Sequence, residues 1–334
     1  AEFKLYTLPS SNYCNQIAYN HDKNIFVILV NIGSSTGSNI FLYSTDGITW
    51  TQGTLPITSF WNSFCYGGGK FVAIGNKKDL IYSFNGIDWI SLPQIYLPNS
   101  ATSIINGYEG ICYGNNKYVV SANNYLYYTT HLAIWYKTEN IYDETGIKKI
   151  YFGGNKFIAL PASNLNYLKY STDLITWNKM DLPISICSDN ICYGNGIFVA
   201  VQMYSTSYVY SLDEGITWNQ GTLPSAQTFI DIIYGNGEFI ITMGDIEEYF
   251  YSFNGIDWYI KQLPNGFTKY DRSCYGNGKF IIVGRITCAV KDNFENYTAD
   301  FYTRSNITNI NNIYDVCVNY RETTVIIGND YIGY

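Results

Sequence analysis

The octapeptide Tyr-Ser-Thr-Asp-Gly-Ile-Thr-Trp at residues 43–50 recurs through the chain at intervals of about forty residues. Six of the seven tryptophans close a copy of this box. A unit that returns at such a period is typical of a repeat architecture, in which each unit packs against its neighbours. The other copies occupy residues 82–89, 128–135, 170–177, 210–218 and 251–258.

A second phrase precedes each box and predicts a hairpin. At residues 191–200 it reads Ile-Cys-Tyr-Gly-Asn-Gly-Ile-Phe-Val-Ala. Because Asn-Gly supplies the positive φ of a two-residue turn, the phrase indicates a strand, a turn and a second strand. A third strand that ends in Tyr-Ser and a fourth strand that carries the tryptophan complete the unit. The aromatic residue of the phrase lies at positions 19, 66, 113, 152, 193, 234 and 275, and the equivalent position of the weakest copy is Val318.

This spacing, with several strands per unit, predicts an all-β fold, a β-propeller of four-stranded antiparallel blades. Residues 2–9 look like a fourth strand without a blade, and residues 315–334 look like the start of a blade without a fourth strand. Pairing the N-terminal strand with this C-terminal blade would close the ring and remove exposed sheet edges. We therefore expect a single domain over residues 1–334 with eight blades, or with seven if residues 290–297 form only an elaborated loop.

The composition agrees with one large β unit. Hydrophobic residues make up 47% of the chain and charged residues 14%, which is below the usual ~25%. The 34 tyrosines, 18 phenylalanines and 7 tryptophans favour strands. A net charge of -7 argues against nucleic acid or an anionic membrane as partner. We find neither a signal peptide nor an apolar run of about 18 residues, so we expect no insertion into a bilayer.

The cysteines show no metal pattern. Five of them share one position in the repeat, and such residues are expected to fill equivalent packed sites as small hydrophobes. Paired ligands at metal spacing are absent from the sequence, which has only the histidines His21 and His131. We therefore expect mostly free thiols and no cofactor. The five cysteines are Cys65, Cys112, Cys192, Cys274 and Cys317.

The box at residues 211–218, Ser-Leu-Asp-Glu-Gly-Ile-Thr-Trp, resembles the Asp-box, or bacterial neuraminidase (BNR), repeat, and the other boxes resemble it shortened by one residue. The resemblance covers nearly the whole chain and implies a propeller similar to the sialidase-like superfamily. In two boxes an asparagine replaces the acid, and its amide oxygen can accept the same turn N–H groups. The boxes are therefore interpreted as structural turns, and not as calcium or ligand sites. The box residues are Asp46, Asn85, Asp173, Asp213 and Asn254.

The catalytic residues that this resemblance would bring are missing. Sialidases that resemble this fold hold the substrate carboxylate with three arginines from different blades. Here all arginines fall in the last quarter of the chain, and lysine does not replace bidentate guanidinium binding. Carboxylates for another glycosidase are present, so a glycan-degrading enzyme stays an alternative, although we lean towards no activity. The arginines are Arg272, Arg285, Arg304 and Arg321.

The connections between blades and the loops between second and third strands vary in length and content. Recognition usually resides in such loops on a rigid frame. They are rich in aromatic residues, and Trp61 is the only tryptophan outside a box. Exposed rings beside polar groups suit sugar binding, although Trp61 alternatively packs between blades. The candidate ligand-binding residues are Phe60, Trp61, Asn62, Tyr96, Tyr108, Glu109, Tyr142, Asp189, Asp231, Tyr270, Asp271, Arg272 and Asp315.

Some of these candidates belong to a rim predicted at the mouth of the innermost strands. A mostly acidic rim could bind a cation or a polyhydroxyl ligand, or could simply be the solvated edge of the channel. The rim residues are Gln16, Asn62, Glu109, Lys148, Asp189, Asp231, Asp271 and Asp315.

The sequence thus predicts a non-enzymatic, lectin-like propeller that binds carbohydrate or another cell-surface structure. The abundance of Asn, Ile, Lys and Tyr suggests a bacterial or phage source, in which a tail or receptor-binding protein or a secreted adhesin would fit. An extracellular or virion-associated location follows from that expectation. The alternative is a protein-protein interaction scaffold without a small ligand.

Overall fold

The computed structural model describes residues 1–9, 13–33, 36–76, 78–93, 109–122, 124–186, 190–244, 246–267, 272–292, 313–319, 323–328 and 332–333. For residues 13–15 and beyond 312 only the backbone is described. Contacts divide the chain into two compact units, one of Glu2–Asn293 and one of Phe294–Tyr334 together with Ala1. The described part contains no helix with the length and hydrophobicity that a membrane span requires.

The larger unit consists of seven four-stranded antiparallel sheets, each a blade. Blades 1 to 3 follow one another along the chain, and in each of them the strand order in the sheet is the order in the sequence. Blade 1 contains β2 (Tyr13–Asn20), β3 (Ile25–Asn31), β4 (Ser38–Ser44) and β5 (Thr51–Ser59). Blade 2 contains β6 (Trp61–Gly67), β7 (Lys70–Gly75), β8 (Leu80–Ser83) and β9 (Ile90–Leu92). Blade 3 contains β10 (Gly110–Gly114), β11 (Lys117–Ala122), β12 (Tyr125–Thr129) and β13 (Tyr136–Lys137).

Blades 4 to 6 repeat this order, whereas blade 7 takes its fourth strand from the N-terminus. Blade 4 contains β14 (Ile147–Gly153), β15 (Lys156–Pro161), β16 (Leu165–Ser171) and β17 (Asn178–Ile186). Blade 5 contains β18 (Asn190–Gly194), β19 (Ile197–Val201), β20 (Ser207–Ser211) and β21 (Asn219–Thr222). Blade 6 contains β22 (Phe229–Gly235), β23 (Glu238–Met243), β24 (Glu248–Ser252) and β25 (Tyr259–Gln262). Blade 7 contains β26 (Arg272–Gly276), β27 (Lys279–Val283), β28 (Thr287–Asp292) and β1 (Lys4–Thr7).

The innermost strands contact one another in blade order around the ring, and β26 of blade 7 returns to β2 of blade 1. The all-β propeller is thus confirmed with seven blades, the alternative count, and the count of eight is wrong. The N-terminal strand β1 does close the last blade, but it pairs with β28, with Lys4 opposite Val290 and Thr7 opposite Thr287. It does not complete a blade with residues 315–334. The physical reason is that the outer edge of β28 can pair with a further strand, and β1 satisfies the backbone groups of that edge.

The segment beyond the seventh blade forms a sheet by itself. Strands β29 (Ile313–Asn319), β30 (Thr323–Gly328) and β31 (Ile332–Gly333) pair antiparallel in chain order. Asp315, which we expected at the channel rim, therefore belongs to β29 of this separate sheet and to none of the seven inner strands.

Six of the seven inner strands pack their marker aromatic residue on a glycine of the preceding blade. The rings are those that mark the sequence repeat, and the glycine is the residue that follows the marker. A Cβ atom added to Gly194 would lie 2.1 Å from the Tyr234 ring, and one on Gly235 would lie 2.1 Å from Tyr275. Real Cβ atoms essentially never approach so closely, so the position requires glycine. The other ring contacts are Gly67 with Tyr113, Gly114 with Phe152 and Gly276 with Tyr19, and at Gly153 the added atom would lie 2.7 Å from the Cβ atom of Tyr193.

The junction between blades 1 and 2 uses a different contact. Asn20 takes the place of the glycine, and its side-chain oxygen accepts the backbone N–H groups of Asp22 and Lys23 at 2.9 and 3.0 Å. The marker ring of blade 2, Tyr66, donates its hydroxyl proton to the Asp22 carboxylate at 2.5 Å. This junction is therefore stabilised by hydrogen bonds where the others have a ring on a glycine.

The box turns are stabilised by their own side chains. Asp46 Oδ1 accepts the backbone N–H groups of Ile48 and Thr49 at 2.8 and 2.7 Å, and also the Ser44 hydroxyl at 2.8 Å. Asn85 and Asn254 accept the equivalent pairs of N–H groups through their amide oxygens. Since an amide makes the same bonds as the carboxylate, the turn does not depend on charge.

Two boxes place leucine where the others have glycine. Leu132 and Leu174 adopt φ values of 64° and 70°, a left-handed conformation that L-residues normally avoid. Both side chains are buried, at 7% and 1% exposure; Leu132 packs in the core between blades 2 and 3, and Leu174 packs in the core between blades 3 and 4. The buried apolar surface offsets the backbone strain in these two blades.

The acid boxes predict a pH-dependent contribution to stability. Hydrogen bonds from the Thr217 side chain, the Thr217 backbone and Ser211 lower the pKa of Asp213 to about 2. A carboxyl whose pKa is lower in the folded state stabilises the fold above its unfolded pKa of about 4, and this contribution is lost as the pH falls through the folded value. We predict that Asp213→Ala lowers the melting temperature much more at pH 6 than at pH 2.5.

The matched control is Asn254→Ala in a sister box, because an amide does not titrate in this range. Its cost should be the same at both pH values when measured by thermal unfolding. If Asp213→Ala lowers the melting temperature equally at pH 6 and pH 2.5, the ionised Asp213 carboxylate does not stabilise the box turn as proposed here.

Candidate functional site

The propeller has one uniform face and one variable face. The turns between first and second strands and the boxes between third and fourth strands form the uniform face. The loops between second and third strands and the connections that enter each next blade form the variable face, and they are hydrogen-bonded to one another. Asn76 donates its N–H to Phe60 O at 3.0 Å, Ala162 to Gly146 O at 2.9 Å, and Gly244 to Thr228 O at 3.0 Å.

Trp61 does not form an exposed platform. The side chain is completely buried at the start of β6, and its indole N–H donates to Ser38 O in blade 1 at 2.9 Å. The Asn31 side chain also bonds both backbone groups of Trp61, at 3.0 and 3.2 Å. The prediction of a sugar-stacking Trp61 is therefore wrong, and the alternative, packing between adjacent blades, describes its position. Its neighbour Phe60 is half-buried in the same connection.

Tyr142 is a second predicted ligand residue that the fold buries. Its hydroxyl donates to Ala159 O at 2.6 Å and accepts the Lys169 N–H at 2.9 Å. Burial raises the pKa of this phenol, and only 1% of the side chain is exposed. Because the ring and its hydroxyl are both used inside blade 4, the prediction that Tyr142 lies on an exposed platform is wrong.

The described rim of the channel carries charges of both signs. Gln16 Nε2 donates to Asn62 O at 3.4 Å, which links the inner strands of blades 1 and 2. Glu109 is exposed, partial desolvation raises the pKa of its carboxyl, and the Lys148 ammonium of the next blade opposes that rise. Two of the acids predicted for the rim, Asp189 and Asp271, lie outside the described residues.

Asp231 connects blades 6 and 7. One carboxylate oxygen accepts the Ser273 backbone N–H at 3.0 Å and the Ser273 hydroxyl at 2.9 Å. The other accepts the Ile232 N–H at 3.0 Å. Arg272, half-buried at the start of β26, directly precedes Ser273. Asp231 and Arg272 therefore lie at the beginnings of neighbouring inner strands, β22 and β26.

The remaining predicted ligand residues, Tyr96, Tyr108, Asp189, Tyr270 and Asp271, lie outside the described residues. The sequence also overlooked two residues of the variable face. Met203 and Tyr204 lie in the loop between β19 and β20, and their side chains are 38% and 75% exposed. The only signal for them in the sequence is a long stretch without charged residues around them.

The repeat-position cysteines that are described, Cys65, Cys112, Cys192 and Cys274, carry free thiols. Burial raises the pKa of the Cys65 thiol to about 12 and also raises those of Cys112, Cys192 and Cys274. Protonated thiols are poor nucleophiles and poor metal ligands. Among the described residues, no group of three His, Cys, Asp or Glu side chains is placed to hold a metal ion.

A small cleft of about 350 Å³ lies on the outer edge of the ring between blade 6 and the closing strand. The rings of Phe3 and Tyr249, which meet edge to face at 5.0 Å, form its floor, and Lys261 and Gln262 border it. Because β25 and β1 are the outermost strands of their blades, this cleft is separate from the channel rim.

No protein-family model and no curated protein sequence matches the chain. In structure it is similar to a catalytically inactive histidine-to-alanine variant of virginiamycin B lyase from Staphylococcus aureus with quinupristin, with a TM-score of 0.69 and 14% identity over 86% of this chain and 99% of that one. It is also similar to YCF48 bound to D1 peptide, with a TM-score of 0.66 and 14% identity over 87% and 97%. YCF48 from Cyanidioschyzon merolae matches with a TM-score of 0.65 and 15% identity over 89% and 100%.

At these identities the likeness shows the fold alone. The molecule is a seven-bladed β-propeller, and its resemblance to Asp-box repeats is carried by the boxes themselves, without a matching family model.

The buried position of Trp61 predicts a structural phenotype. Trp61→Ala should lower the free energy of unfolding by about 3–5 kcal/mol, because it removes a fully buried indole. Trp61→Phe should cost less, about 1–3 kcal/mol, mainly by leaving Ser38 O without its donor. Denaturant unfolding measures both. A stable Trp61→Ala variant that has lost only ligand binding would contradict this position for the ring.

Proposed function

We propose that this protein is a non-catalytic binding propeller that holds a partner polypeptide on its variable face, at the entrance of the channel. The observation that carries the proposal is the composition of the rim. Glu109, Lys148 and Arg272 present charges of both signs, and Gln16 and Asn62 present amides, around one opening. Polar groups of both signs beside apolar loops suit a polypeptide, whose backbone needs donors and acceptors and whose side chains need apolar contacts.

Two findings favour a polypeptide over the carbohydrate that the sequence first suggested. The fold buries Trp61 and Tyr142, which removes two of the rings expected to stack on sugar. One propeller of similar fold is described as bound to a peptide, which supports the same use of this architecture. The extracellular or virion-associated setting expected from the sequence remains part of the proposal.

An enzymatic role has less support. In the lyase of similar fold, the inactive variant lacks a histidine. The only histidines here are His21 in the turn between β2 and β3 and His131 in the box of blade 3, so both lie on the uniform face. The variable face thus has no imidazole to act as general base at neutral pH.

The proposal is tested with a phage-displayed library of random 12-residue peptides, selected on the purified chain. Peptides should be enriched, and Glu109→Lys and Arg272→Ala should each weaken their binding by about tenfold or more, since both change the charge of the rim. The measurement is the Kd of synthetic peptides by fluorescence anisotropy.

Lys23→Glu is the matched control, because it reverses an exposed charge on the uniform face and should leave the Kd unchanged. Absence of any enriched peptide would overturn the proposal, as would equal Kd values for the rim variants and the wild type. A glycan-array hit without peptide binding would return the function to carbohydrate recognition.

A further inference from the structure

The loop between β19 and β20 presents an aromatic residue in a strained conformation. Tyr204 has a φ of 59°, in the left-handed region that bulky L-residues seldom adopt. Its ring is nevertheless 75% exposed, and the neighbouring Met203 is 38% exposed. The strain therefore places a large apolar ring in solvent, where burial gives no compensation within this chain.

The other left-handed residues of the described chain have local reasons, with one exception. Asparagines take this conformation in the hairpin turns, where their short polar side chains tolerate it. Leu132 and Leu174 replace the box glycine and are buried, and Glu214 belongs to the lengthened box of blade 5. Lys78, in the corresponding loop of blade 2, is the exception that accompanies Tyr204. The asparagines are Asn24, Asn115, Asn116, Asn155, Asn195, Asn236 and Asn277.

Backbone hydrogen bonds hold the loop in place. Tyr204 donates its N–H to Gln227 O at 2.8 Å, and Thr206 O accepts the Leu223 N–H at 2.7 Å. The Ser205 hydroxyl accepts the Ser207 N–H at 3.0 Å. The loop is thus tied at two points to the connection that enters blade 6. An exposed ring on a fixed backbone is already ordered for binding, so it loses little conformational entropy when a partner covers it.

The chain segments that form this loop and the connection it bonds to contain no charged residue. From Asn190 to Leu212, and again from Gly215 to Ile230, the chain contains no Lys, Arg, Asp or Glu, although such residues make up 14% of the whole. The polar groups beside the ring belong to neutral residues, and Gln227 Nε2 donates to Ser225 Oγ at 3.1 Å. A charged group that contacts these two segments would find no countercharge on them and would lose hydration, so they disfavour a charged partner group.

We propose that Met203 and Tyr204 anchor an uncharged, apolar segment of the partner polypeptide. Tyrosine and methionine are enriched in protein interfaces, because the ring gives a large contact area and the thioether adapts to irregular surfaces. This inference rests on the proposed function and names the chemistry of the segment that the variable face recognises. The charged rim at Glu109 and Arg272 would contact other parts of the same partner.

The test uses Tyr204→Asn, because asparagine accepts the left-handed backbone without strain. The variant should be as stable as the wild type or more stable, with a melting temperature raised by up to about 2 °C. It should nevertheless bind the peptides selected from the 12-residue library at least about tenfold more weakly. A substitution that preserves or raises stability but weakens binding is expected when the original residue adopts a strained backbone conformation in order to contact a partner.

Tyr259→Asn is the matched control. This tyrosine is 52% exposed on β25, the outer strand of blade 6, and its replacement should leave peptide affinity unchanged. The selected peptides should also be poor in charged residues at the positions that Tyr204→Asn affects. Lys or Glu at those positions would overturn the proposed chemistry.

The outcomes separate this inference from the function on which it rests. If rim variants weaken peptide binding and Tyr204→Asn does not, the anchor is wrong and the binding function stands. If no peptide is selected, both fail. If a glycan-array hit depends on Tyr204, the loop binds sugar and the polypeptide assignment is overturned. If Tyr204→Asn lowers the melting temperature, the ring is structural and the anchor is wrong.

Discussion

The structure depends on one repeated contact, the packing of an inner-strand aromatic ring on a glycine of the preceding blade. At six junctions, among them Gly194 with Tyr234 and Gly235 with Tyr275, no room remains for a Cβ atom. The ring brings the inner strands together, and the buried clusters between neighbouring blades continue the contact outward. Because a sheet edge stays open unless the circle is completed, the N-terminal strand pairs with β28 in the seventh blade.

The two faces of the propeller differ in how strongly the repeated blade structure constrains their sequence. The uniform face carries the hairpin turns and the boxes, whose side chains are occupied with their own backbone, as Ser44 and Asp46 show. The variable face has no such requirement, so its loops differ in length, charge and strain. Polar rim groups and the exposed Tyr204 lie there on a frame that hardly needs to move, and such preorganisation lowers the entropic cost of binding.

The four strands of each blade could be predicted from the sequence, because the repeated hairpin phrase and the repeated box mark where strands begin and where they turn. It predicted the blade count less well, since the strand that completes blade 7 lies about 280 residues away from β28 in the chain. It misplaced Trp61 because the register between blades, which directs that ring towards Ser38, cannot be read from one strand. The conformation of Tyr204 could not be predicted, because a positive φ is expected from sequence mainly at Gly and Asn. The stretch without charged residues around Tyr204 can be seen in the sequence, but the sequence does not show that this residue is exposed on a loop.

A double-mutant cycle at the junction of blades 5 and 6 tests the central contact most directly. Gly194 has no left-handed φ, so Gly194→Ala adds only a methyl group against the Tyr234 ring. We predict that this change lowers the free energy of unfolding by about 2 kcal/mol in the wild type. In a Tyr234→Ala background its cost should fall below about 0.5 kcal/mol, because the ring is gone. Equal costs in both backgrounds, measured by urea unfolding, would contradict the account.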